Sequence, residues 1–179
     1  SSISNSPQLF AHNSSNIKNM NLKPIFYTLE EWSFQIQTFI QSFILVFFVF
    51  LFFKFNLIIN LLTYSWIPLL NLFVFLYWFP VIICLISVRF TDIAQLVPIV
   101  LQLVFLTSPI LYRKESLGSL EWITNLNFIY QILDPLRSCI ISGYINYQDS
   151  IFILIFNFVG LFVTIRLLNF ESKRLPFLL

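Results

Sequence analysis

Charged residues are scarce in this chain, and they are absent altogether from several long stretches. Only 10% of its 179 residues are charged, although about a quarter are charged in an ordinary soluble domain. No charge lies between Glu31 and Lys54, or between Lys54 and Arg89, which are gaps of 22 and 34 residues. An α-helix rises ~1.5 Å per residue, so about 20 apolar residues cross the ~30 Å hydrocarbon core of a bilayer. The gaps therefore indicate a polytopic membrane protein.

Glycine, histidine and cysteine are also rare, and each scarcity argues against a class of function. The chain has three glycines and no G-x-x-x-x-G-K-[ST] sequence, so it carries no nucleotide-binding loop of that type. Its single histidine, His12, and its two cysteines without a CxxC spacing argue against a metal site. No Ser/His/Asp set is present, and we predict no catalytic residue and no cofactor. The net charge of +2 gives no basis for nucleic acid binding.

The charge-free stretches predict an all-α fold with four membrane-spanning helices, at 29–53, 61–88, 93–112 and 150–169. The sequence Thr28-Leu-Glu-Glu31 has the pattern of a capping box, which predicts the start of the first helix. Residues 54–60 are predicted to form a short turn. Pro80 would kink the second span in its interior, which neighbouring helices make tolerable. The Ser/Asn-rich segment 1–21 would by its composition alone pass for a disordered tail.

The block 113–148 is too polar to span a membrane and too apolar to be a free loop. Its apolar stretches, 120–133 and 136–145, have the length of re-entrant or interfacial helices. Asp134-Pro135 between them has the residues preferred at an N-cap and at the first helical position. Arg137 follows one turn later, where it can pair with Asp134. We therefore predict two short re-entrant helices before the last span.

The segment from Arg89 to Tyr112 carries the most specific motif in the chain. The loop Arg89-Phe-Thr-Asp92 leads into an apolar helix that ends in Ser108-Pro-Ile-Leu-Tyr112. This segment resembles the membrane subunits of type-2 ABC exporters of polysaccharides, in which an R-[FY]-x-D loop precedes a helix ending in [TS]-P-[IV]-x-[YW]. The matching positions are Arg89, Phe90, Asp92, Gln95, Leu101, Gln102, Pro109 and Tyr112.

Three further stretches agree with that resemblance. Residues 16–24 are similar to the cytoplasmic segment of the family that contacts the ATPase, G-x-I-K-x-x-x-[LF]-P, although the glycine is replaced. Residues 125–137 resemble N-P-[FL]-x-x-[LI]-[IV]-[ED]-x-x-R without its proline, and 173–177 is similar to the basic tail of the family. The resemblance covers essentially the whole chain. It implies that about two spans and an amphipathic helix precede this sequence, so the chain is expected to be N-terminally truncated.

The resemblance also implies roles for individual residues. The residues expected to couple the permease to the ATPase are Ile17, Lys18, Leu22 and Lys23. Those expected in the cytoplasmic loop are Arg89 and Asp92. The channel and gate residues would be Gln95, Gln102, Pro109, Tyr112, Trp122, Tyr130, Asp134 and Arg137. Gln95 and Gln102 are seven residues apart and share a helix face, which suits either helix–helix contact or a wet channel. Arg89 and Asp92 can pair at the membrane edge, or serve simply as an inside anchor and a helix cap.

The domain organisation and the function that follow are expectations from the resemblance. Residues 1–28 would be a cytoplasmic coupling segment, 29–112 three spans, 113–148 a periplasmic gate region, and 149–179 the last span with a cytoplasmic tail. The chain would be the permease subunit of an ATP-driven exporter of a lipid-linked polysaccharide, such as O-antigen, capsule or teichoic acid. It would work in the bacterial cytoplasmic membrane as a homodimer, in contact with lipid and with a separate ABC ATPase subunit.

Two alternatives stay open at this stage. A type-2 ABC exporter of drugs or lipids would share most of these features, although the block 113–148 favours a glycan exporter. A polytopic membrane glycosyl- or acyltransferase would need paired carboxylates or a His/Asp set at a membrane face. The acids here are scattered singly, apart from Glu30 and Glu31. The distribution of Lys and Arg, six inside against four outside, favours a cytoplasmic N-terminal segment only weakly.

Overall fold

A computed structural model describes residues 2–19, 23–108, 127–172 and 174–175, and these ranges contain helices but no strand. Three short helices come first: α1 (Ser2–Asn5), α2 (Leu9–His12) and α3 (Ser14–Asn19), with a 3-10 turn at Ser6–Gln8. The longer helices are α4 (Pro24–Phe53), α5 (Phe55–Tyr64), α6 (Trp66–Arg89), α7 (Ile93–Thr107), α8 (Phe128–Ser142) and α9 (Tyr147–Glu171). The predicted all-α fold is confirmed.

Three of these helices, α4, α6 and α9, are long and apolar enough to cross a membrane. They contain 30, 24 and 25 residues, so each exceeds the ~30 Å hydrocarbon core at ~1.5 Å per residue. The predicted third span corresponds to α7, which has 15 residues in the described part of the chain. Residues 109–112 of that prediction lie outside the described residues. The chain is thus a polytopic membrane protein, while the number of four spans stays a prediction.

The first span begins one turn earlier than the capping-box pattern predicted. Helix α4 starts at Pro24, whose fixed φ angle suits the first helical position. Thr28 therefore lies inside the helix, where its Oγ1 donates to the carbonyl oxygen of Ile25 at 2.9 Å. The prediction of a capping box at Thr28 is wrong because the proline starts the helix before that box can act.

The second predicted span is in fact two helices, α5 and α6, separated at Ser65. The predicted turn at 54–60 is also wrong beyond its first residue, because Lys54 alone leaves the helical conformation, with φ −149° and ψ 63°. Apolar side chains of α5, including Ile58 and Leu61, are buried, and their burial stabilises α5 as a separate helix. The charge-free pattern gave no sign of the boundary between α5 and α6. Pro80 lies in the interior of α6, as predicted, and the helix continues through it.

Helix α8 replaces the predicted break at Asp134-Pro135. Its N-cap is Asn127, whose side chain accepts a hydrogen bond from the Tyr130 amide at 3.0 Å. The helix then runs without interruption through Pro135 to Gly143, which has φ +66° and closes it in the left-handed conformation that favours glycine. The predicted helix start at Asp134 is wrong because Asn127 caps the helix two turns earlier. Residues 120–126 of the predicted first re-entrant helix lie outside the described residues.

The chain groups into two compact units. The first draws on Ser1–Leu45, Phe73–Pro98 and Ile155–Leu179, and the second on Val46–Leu72 and Ile99–Leu154. Phe75, Trp78 and Leu168 are among the buried side chains of the first unit, and Ile58, Ile132 and Cys139 among those of the second.

Candidate functional site

The N-terminal segment, residues 2–19 with the helices α1 to α3, is held against α6 by a few buried groups. Phe10 is completely buried and Ile17 is 5% exposed. On α6, the hydroxyl of Ser87 donates to the carbonyl oxygen of Pro7 at 3.0 Å and to that of Cys84 at 2.8 Å. The polar composition of this segment suggests disorder, but the burial of Phe10 and Ile17 and the hydrogen bond of Pro7 with Ser87 on α6 order it.

The predicted coupling residues divide into anchors and exposed groups. Ile17 is buried, whereas Lys18 on α3 and Lys23 just before α4 are exposed. Leu22 lies outside the described residues. This segment therefore exposes two cations, and the Ser87–Pro7 hydrogen bond connects it to α6.

Within the first unit, α4 and α6 make direct contacts close to this segment. The Trp32 indole Nε1 donates to the carbonyl oxygen of Phe73 at 3.1 Å, and the Trp32 and Tyr77 rings meet edge to face at 5.7 Å. The Thr28 and Tyr77 hydroxyls lie 3.4 Å apart. A cavity of ≈ 20 Å³ between these residues and Ser6 has room for about one water molecule. In the described ranges no group of three or more His, Cys, Asp or Glu side chains could hold a metal ion.

Arg89 forms its ion pair with Glu171 at the end of α9, at 2.5 Å, rather than with Asp92 as the sequence suggested. The Glu171 side chain is 13% exposed and that of Arg89 is 50% exposed. Asp92 is exposed, and its backbone carbonyl accepts from the amides of Gln95 and Leu96 at the start of α7. The tertiary contact of α6 with α9 brings in a partner 82 residues away, which no local spacing can indicate.

A buried polar cluster joins α6 to α9 in the first unit. The Trp78 indole Nε1 donates to Asn157 Oδ1 at 2.9 Å, and the Thr164 hydroxyl lies 3.4 Å from the Trp78 carbonyl oxygen. Gly160 lets the indole approach closely, because a Cβ atom there would lie 2.6 Å from Trp78 Cε2. This cluster was not predicted from the sequence. Its signal was present, since Asn157, Gly160 and Thr164 place small and polar residues at helical spacing in an apolar span.

Helix α7 buries none of its own residues in the described part of the chain. Gln95 and Gln102 are both exposed, and neither side chain makes a hydrogen bond to a described residue. The leucines and valines around them are about half exposed. The side chains of Gln95 and Gln102 therefore have no hydrogen-bond partner within the part of the chain that the structure describes. The other candidates on this segment, Pro109, Tyr112 and Trp122, lie outside the described residues.

In the second unit, Asn127 ties the end of α7 to the start of α8. Its Nδ2 donates to the Val104 carbonyl at 2.9 Å and to the Ser108 hydroxyl at 2.8 Å, while its Oδ1 caps α8. Asn127 is 7% exposed and Ser108 is 2% exposed. One asparagine thus satisfies the C-terminal carbonyl of one helix and the N-terminal amide of the next. A movement of α8 would therefore displace the end of α7.

Helix α8 brings three of the predicted gate residues together. The Tyr130 hydroxyl donates to Asp134 Oδ1 at 2.6 Å, and Arg137 lies one turn further on and is exposed. Burial raises the pKa of Tyr130 to about 12, the Asp134 carboxylate adds to that rise, and the Arg137 guanidinium acts in the opposite direction. The phenol therefore stays protonated and donates to Asp134. Helix α5 supports α8 from the side through Asn60, whose Nδ2 donates to the Ile140 carbonyl at 3.1 Å.

Comparison with known proteins assigns the chain to a family. No curated protein sequence matches it significantly. The family model of the ABC-2 type transporter matches residues 22–141, about two thirds of the chain. The matched range begins just before α4 and ends within α8, so it includes the Arg89 loop, the exposed glutamines and the Tyr130 cluster. Membrane domains of this family are transport permeases that work with an ABC ATPase partner. The chain belongs to the ABC-2 type transporter family and is a multi-pass membrane permease subunit.

Proposed function

We propose that this permease exports a lipid-linked polysaccharide, such as O-antigen, capsule or teichoic acid, across the bacterial cytoplasmic membrane. The observation that carries the proposal is α7, which follows the Arg89-Phe-Thr-Asp92 motif and leaves Gln95 and Gln102 exposed. The motif resembles that of polysaccharide exporters. A glycan is rich in hydroxyl groups, and a path for it through a membrane needs polar side chains that are not already satisfied within the protein.

The exposed face of α7 also supports a homodimer. Polar side chains in a spanning helix require protein or water against them, because hydrocarbon offers no hydrogen bond. A second copy of the chain would place two α7 helices around one water-filled path. Gln95 and Gln102 would then line that path, and the lipid tail of the substrate could remain in the bilayer.

Energy would enter through the N-terminal segment. In this proposal residues 1–28 lie in the cytoplasm, and the exposed Lys18 and Lys23 contact the ATPase subunit. Closure of the ATPase would displace α3, and the buried Phe10 and the Ser87–Pro7 hydrogen bond would transmit that displacement to α6. The contacts of Trp32 with Phe73 and Tyr77 would carry it to α4.

The outer gate would be formed by the block 113–148, of which α8 is the described part. Arg137 is exposed and lies beside the Tyr130–Asp134 hydrogen bond. In this proposal its guanidinium contacts a phosphate of the passing substrate. The N-cap contacts of Asn127 would link such an event to α7. The last span would return the chain to the cytoplasm, with its basic tail inside.

Transport by membrane vesicles that contain the permease and its ATPase tests the proposal. We expect ATP-dependent movement of a lipid-linked polysaccharide across inverted vesicles. Arg137→Ala should reduce the rate about tenfold, which corresponds to about 1.4 kcal/mol for one lost charge-assisted hydrogen bond. The matched control is Ser138→Ala, which changes the next exposed side chain of the same helix.

Other outcomes would contradict the proposal in distinguishable ways. Transport of phospholipids or amphipathic drugs without any movement of glycan would assign the chain to the drug and lipid exporters of the same family. Transfer of a sugar or acyl group in the absence of the ATPase would instead identify a membrane transferase. Equal transport by Arg137→Ala and Ser138→Ala would remove α8 from the substrate path.

A further inference from the structure

The C-terminal third of α9 and the turn after it carry phenylalanine and arginine in alternation, four residues apart. We name this set, Phe162, Arg166, Phe170 and Arg174, the Phe/Arg stripe. The Arg166 guanidinium carbon lies 5.3 Å from the centroid of the Phe162 ring, and that of Arg174 lies 4.8 Å from Phe170. Both distances are within cation–π range. Phe162, Arg166 and Phe170 lie four residues apart on α9 and are therefore neighbours on its surface. The contact of Arg174 with Phe170 extends the patch beyond the helix end.

The stripe is exposed, and no acid within the described residues neutralises it. Phe162 and Phe170 are 60% and 62% exposed, and both arginines are exposed. Glu171, the acid nearest in sequence, pairs with Arg89. Glu171 also lies roughly 140° around the helix from Arg166, given 3.6 residues per turn. Across the described ranges neither Arg166 nor Arg174 forms an ion pair.

The position of the stripe along α9 places its charges near the edge of the bilayer. Helix α9 has 25 residues and is therefore ~37 Å long, several ångströms more than the ~30 Å hydrocarbon core. Arg166 lies five residues before the helix end, which is ~7 Å along the axis. The Arg166 guanidinium packs over Phe162, one turn nearer the middle of α9. It reaches the headgroup layer when the side chain turns toward the helix end, and leaving it in hydrocarbon costs ~3 kcal/mol or more. Arg174, beyond the helix end, lies in the same layer or just outside it.

The chemistry of the stripe matches one ligand class in that layer. Guanidinium groups bind phosphate through two parallel hydrogen bonds, and they are weakly hydrated compared with ammonium groups. The phenylalanine rings below each arginine offer an apolar surface to the glycerol and the first carbons of an acyl chain. An open groove on this side of α9, lined by Phe162, Arg166, Asn169 and Phe170, adds an amide donor beside the arginines.

We propose that the Phe/Arg stripe is a binding site for an anionic phospholipid. Arg166 and Arg174 contact the headgroup phosphate, and Phe162 and Phe170 pack against the lipid below it. The inference requires only that α9 crosses the membrane, and it does not depend on which substrate the permease exports. A bound anionic lipid would hold the end of α9, and with it the Arg89–Glu171 pair, at a fixed depth in the membrane.

Lipid retention by the intact permease–ATPase complex tests this site. The complex is stripped of lipid, titrated with phosphatidylglycerol or phosphatidylcholine, and bound lipid is counted by native mass spectrometry. Each of Arg166→Gln and Arg174→Gln should lower the affinity for phosphatidylglycerol about fivefold, since one cation near an anionic surface contributes about that factor. Retention of phosphatidylcholine should not change. Lys54→Gln, which removes an exposed cation elsewhere, is the matched control and should bind phosphatidylglycerol like the unmodified chain.

Three results would overturn the site. The first is unchanged retention of phosphatidylglycerol by the double variant Arg166→Gln/Arg174→Gln. The second is displacement of the lipid by glycerol phosphate or inorganic phosphate alone, which would identify a free phosphate site. The third is preferential retention of a polyprenyl diphosphate, which would make the patch part of the substrate path. If the double variant does not fold, the retention of phosphatidylglycerol by the unmodified complex is measured at rising salt concentration. Binding through two arginines must weaken as salt rises, and retention that does not change with salt would overturn the site.

Discussion

Helices α6 and α7 follow one another in the chain and are equally apolar on average, yet they relate to the rest of the protein in opposite ways. Helix α6 buries Tyr77, Trp78 and Cys84 and gives its polar groups partners on α9 and on the N-terminal segment. Helix α7 buries nothing of its own in the described residues, and its two glutamines stay exposed. Hydropathy alone identifies both as membrane segments. The partners of their polar side chains distinguish the two helices: those of α6 are paired within the described residues, and Gln95 and Gln102 of α7 are not.

The same contrast gives the two helices different expected responses to mutation. Changes in the contacts of α6 should reduce the stability of the single chain, whereas changes in the polar groups of α7 should affect transport and assembly. Four experiments test this contrast, and their expected effects on the free energy of unfolding range from about 3 kcal/mol to less than about 0.5 kcal/mol.

The largest effect is expected at Gly160, where α9 meets α6. Gly160→Leu should lower the free energy of unfolding by about 3 kcal/mol, the upper end of typical overpacking costs, because its first added carbon would lie 2.6 Å from the Trp78 ring. Thermal unfolding of the detergent-solubilised protein measures the change. The control is Val159→Leu, which enlarges an exposed side chain of the same helix. Equal stability of the two variants would mean that α6 and α9 do not pack through this glycine.

A smaller effect is expected at the hydrogen bond between Trp78 and Asn157. Asn157→Leu should cost about 1–2 kcal/mol, because it leaves the buried indole N–H without its acceptor. The double variant Trp78→Phe/Asn157→Leu should lose less stability than the sum of the two single variants, since neither partner then remains unsatisfied. Denaturant titration in mixed micelles measures the unfolding free energy of each variant, and the double-mutant cycle gives the coupling energy between the two side chains. Strict additivity of the two substitutions would contradict a direct bond between these side chains.

The ion pair of Arg89 with Glu171 should contribute less. Because the Arg89 side chain is half exposed, Arg89→Glu or Glu171→Arg alone should lower the free energy of unfolding by about 0.5–1 kcal/mol. The exchange Arg89→Glu/Glu171→Arg should restore most of the stability, and it should also restore ATP-dependent transport if the pair positions the α6–α7 loop. Arg89→Glu/Asp92→Arg is the comparison variant. Rescue by that second exchange, and not by the first, would favour the local pair that the sequence suggested.

The smallest effect on stability is expected on α7. Gln95→Leu and Gln102→Leu remove side chains that have no hydrogen-bond partner among the described residues, so the unfolding free energy should change by less than about 0.5 kcal/mol. Transport should nevertheless fall, because the polar lining of the proposed path is lost. Unfolding and vesicle transport are measured on the same preparations. A large loss of stability would instead show that the glutamines are buried against another helix of the folded protein.

The sequence alone predicted the membrane class and the position of the longest helices. Charge-free stretches suffice for this, because the cost of placing charges in hydrocarbon acts on each segment separately. The helices α4 and α9 accordingly match their predicted spans within a few residues. The Arg89 to Tyr112 motif likewise pointed to the transporter family, which the match over residues 22–141 shows.

Local capping patterns were less reliable than hydropathy. The capping box at Thr28 and the helix start at Asp134-Pro135 both have suitable residues, yet Pro24 and Asn127 start the helices earlier. A capping side chain contributes only about 1 kcal/mol. Burial of the neighbouring turn contributes more, so contacts of α4 with α6 and of α8 with α5 can move a helix boundary by a turn or two.

Only the tertiary structure decided which polar groups meet. The pairs Arg89–Glu171, Trp78–Asn157 and Asn60–Ile140 each join residues about 80 positions apart. No spacing rule reaches that far, because such a contact depends on how two helices rotate and slide against each other. The order of the N-terminal segment has the same origin: its composition is that of a loop, and the burial of Phe10 and Ile17 against the folded chain turns it into helices. Solvation thus determined which segments enter the membrane, and side-chain packing between helices determined what each of them contacts there.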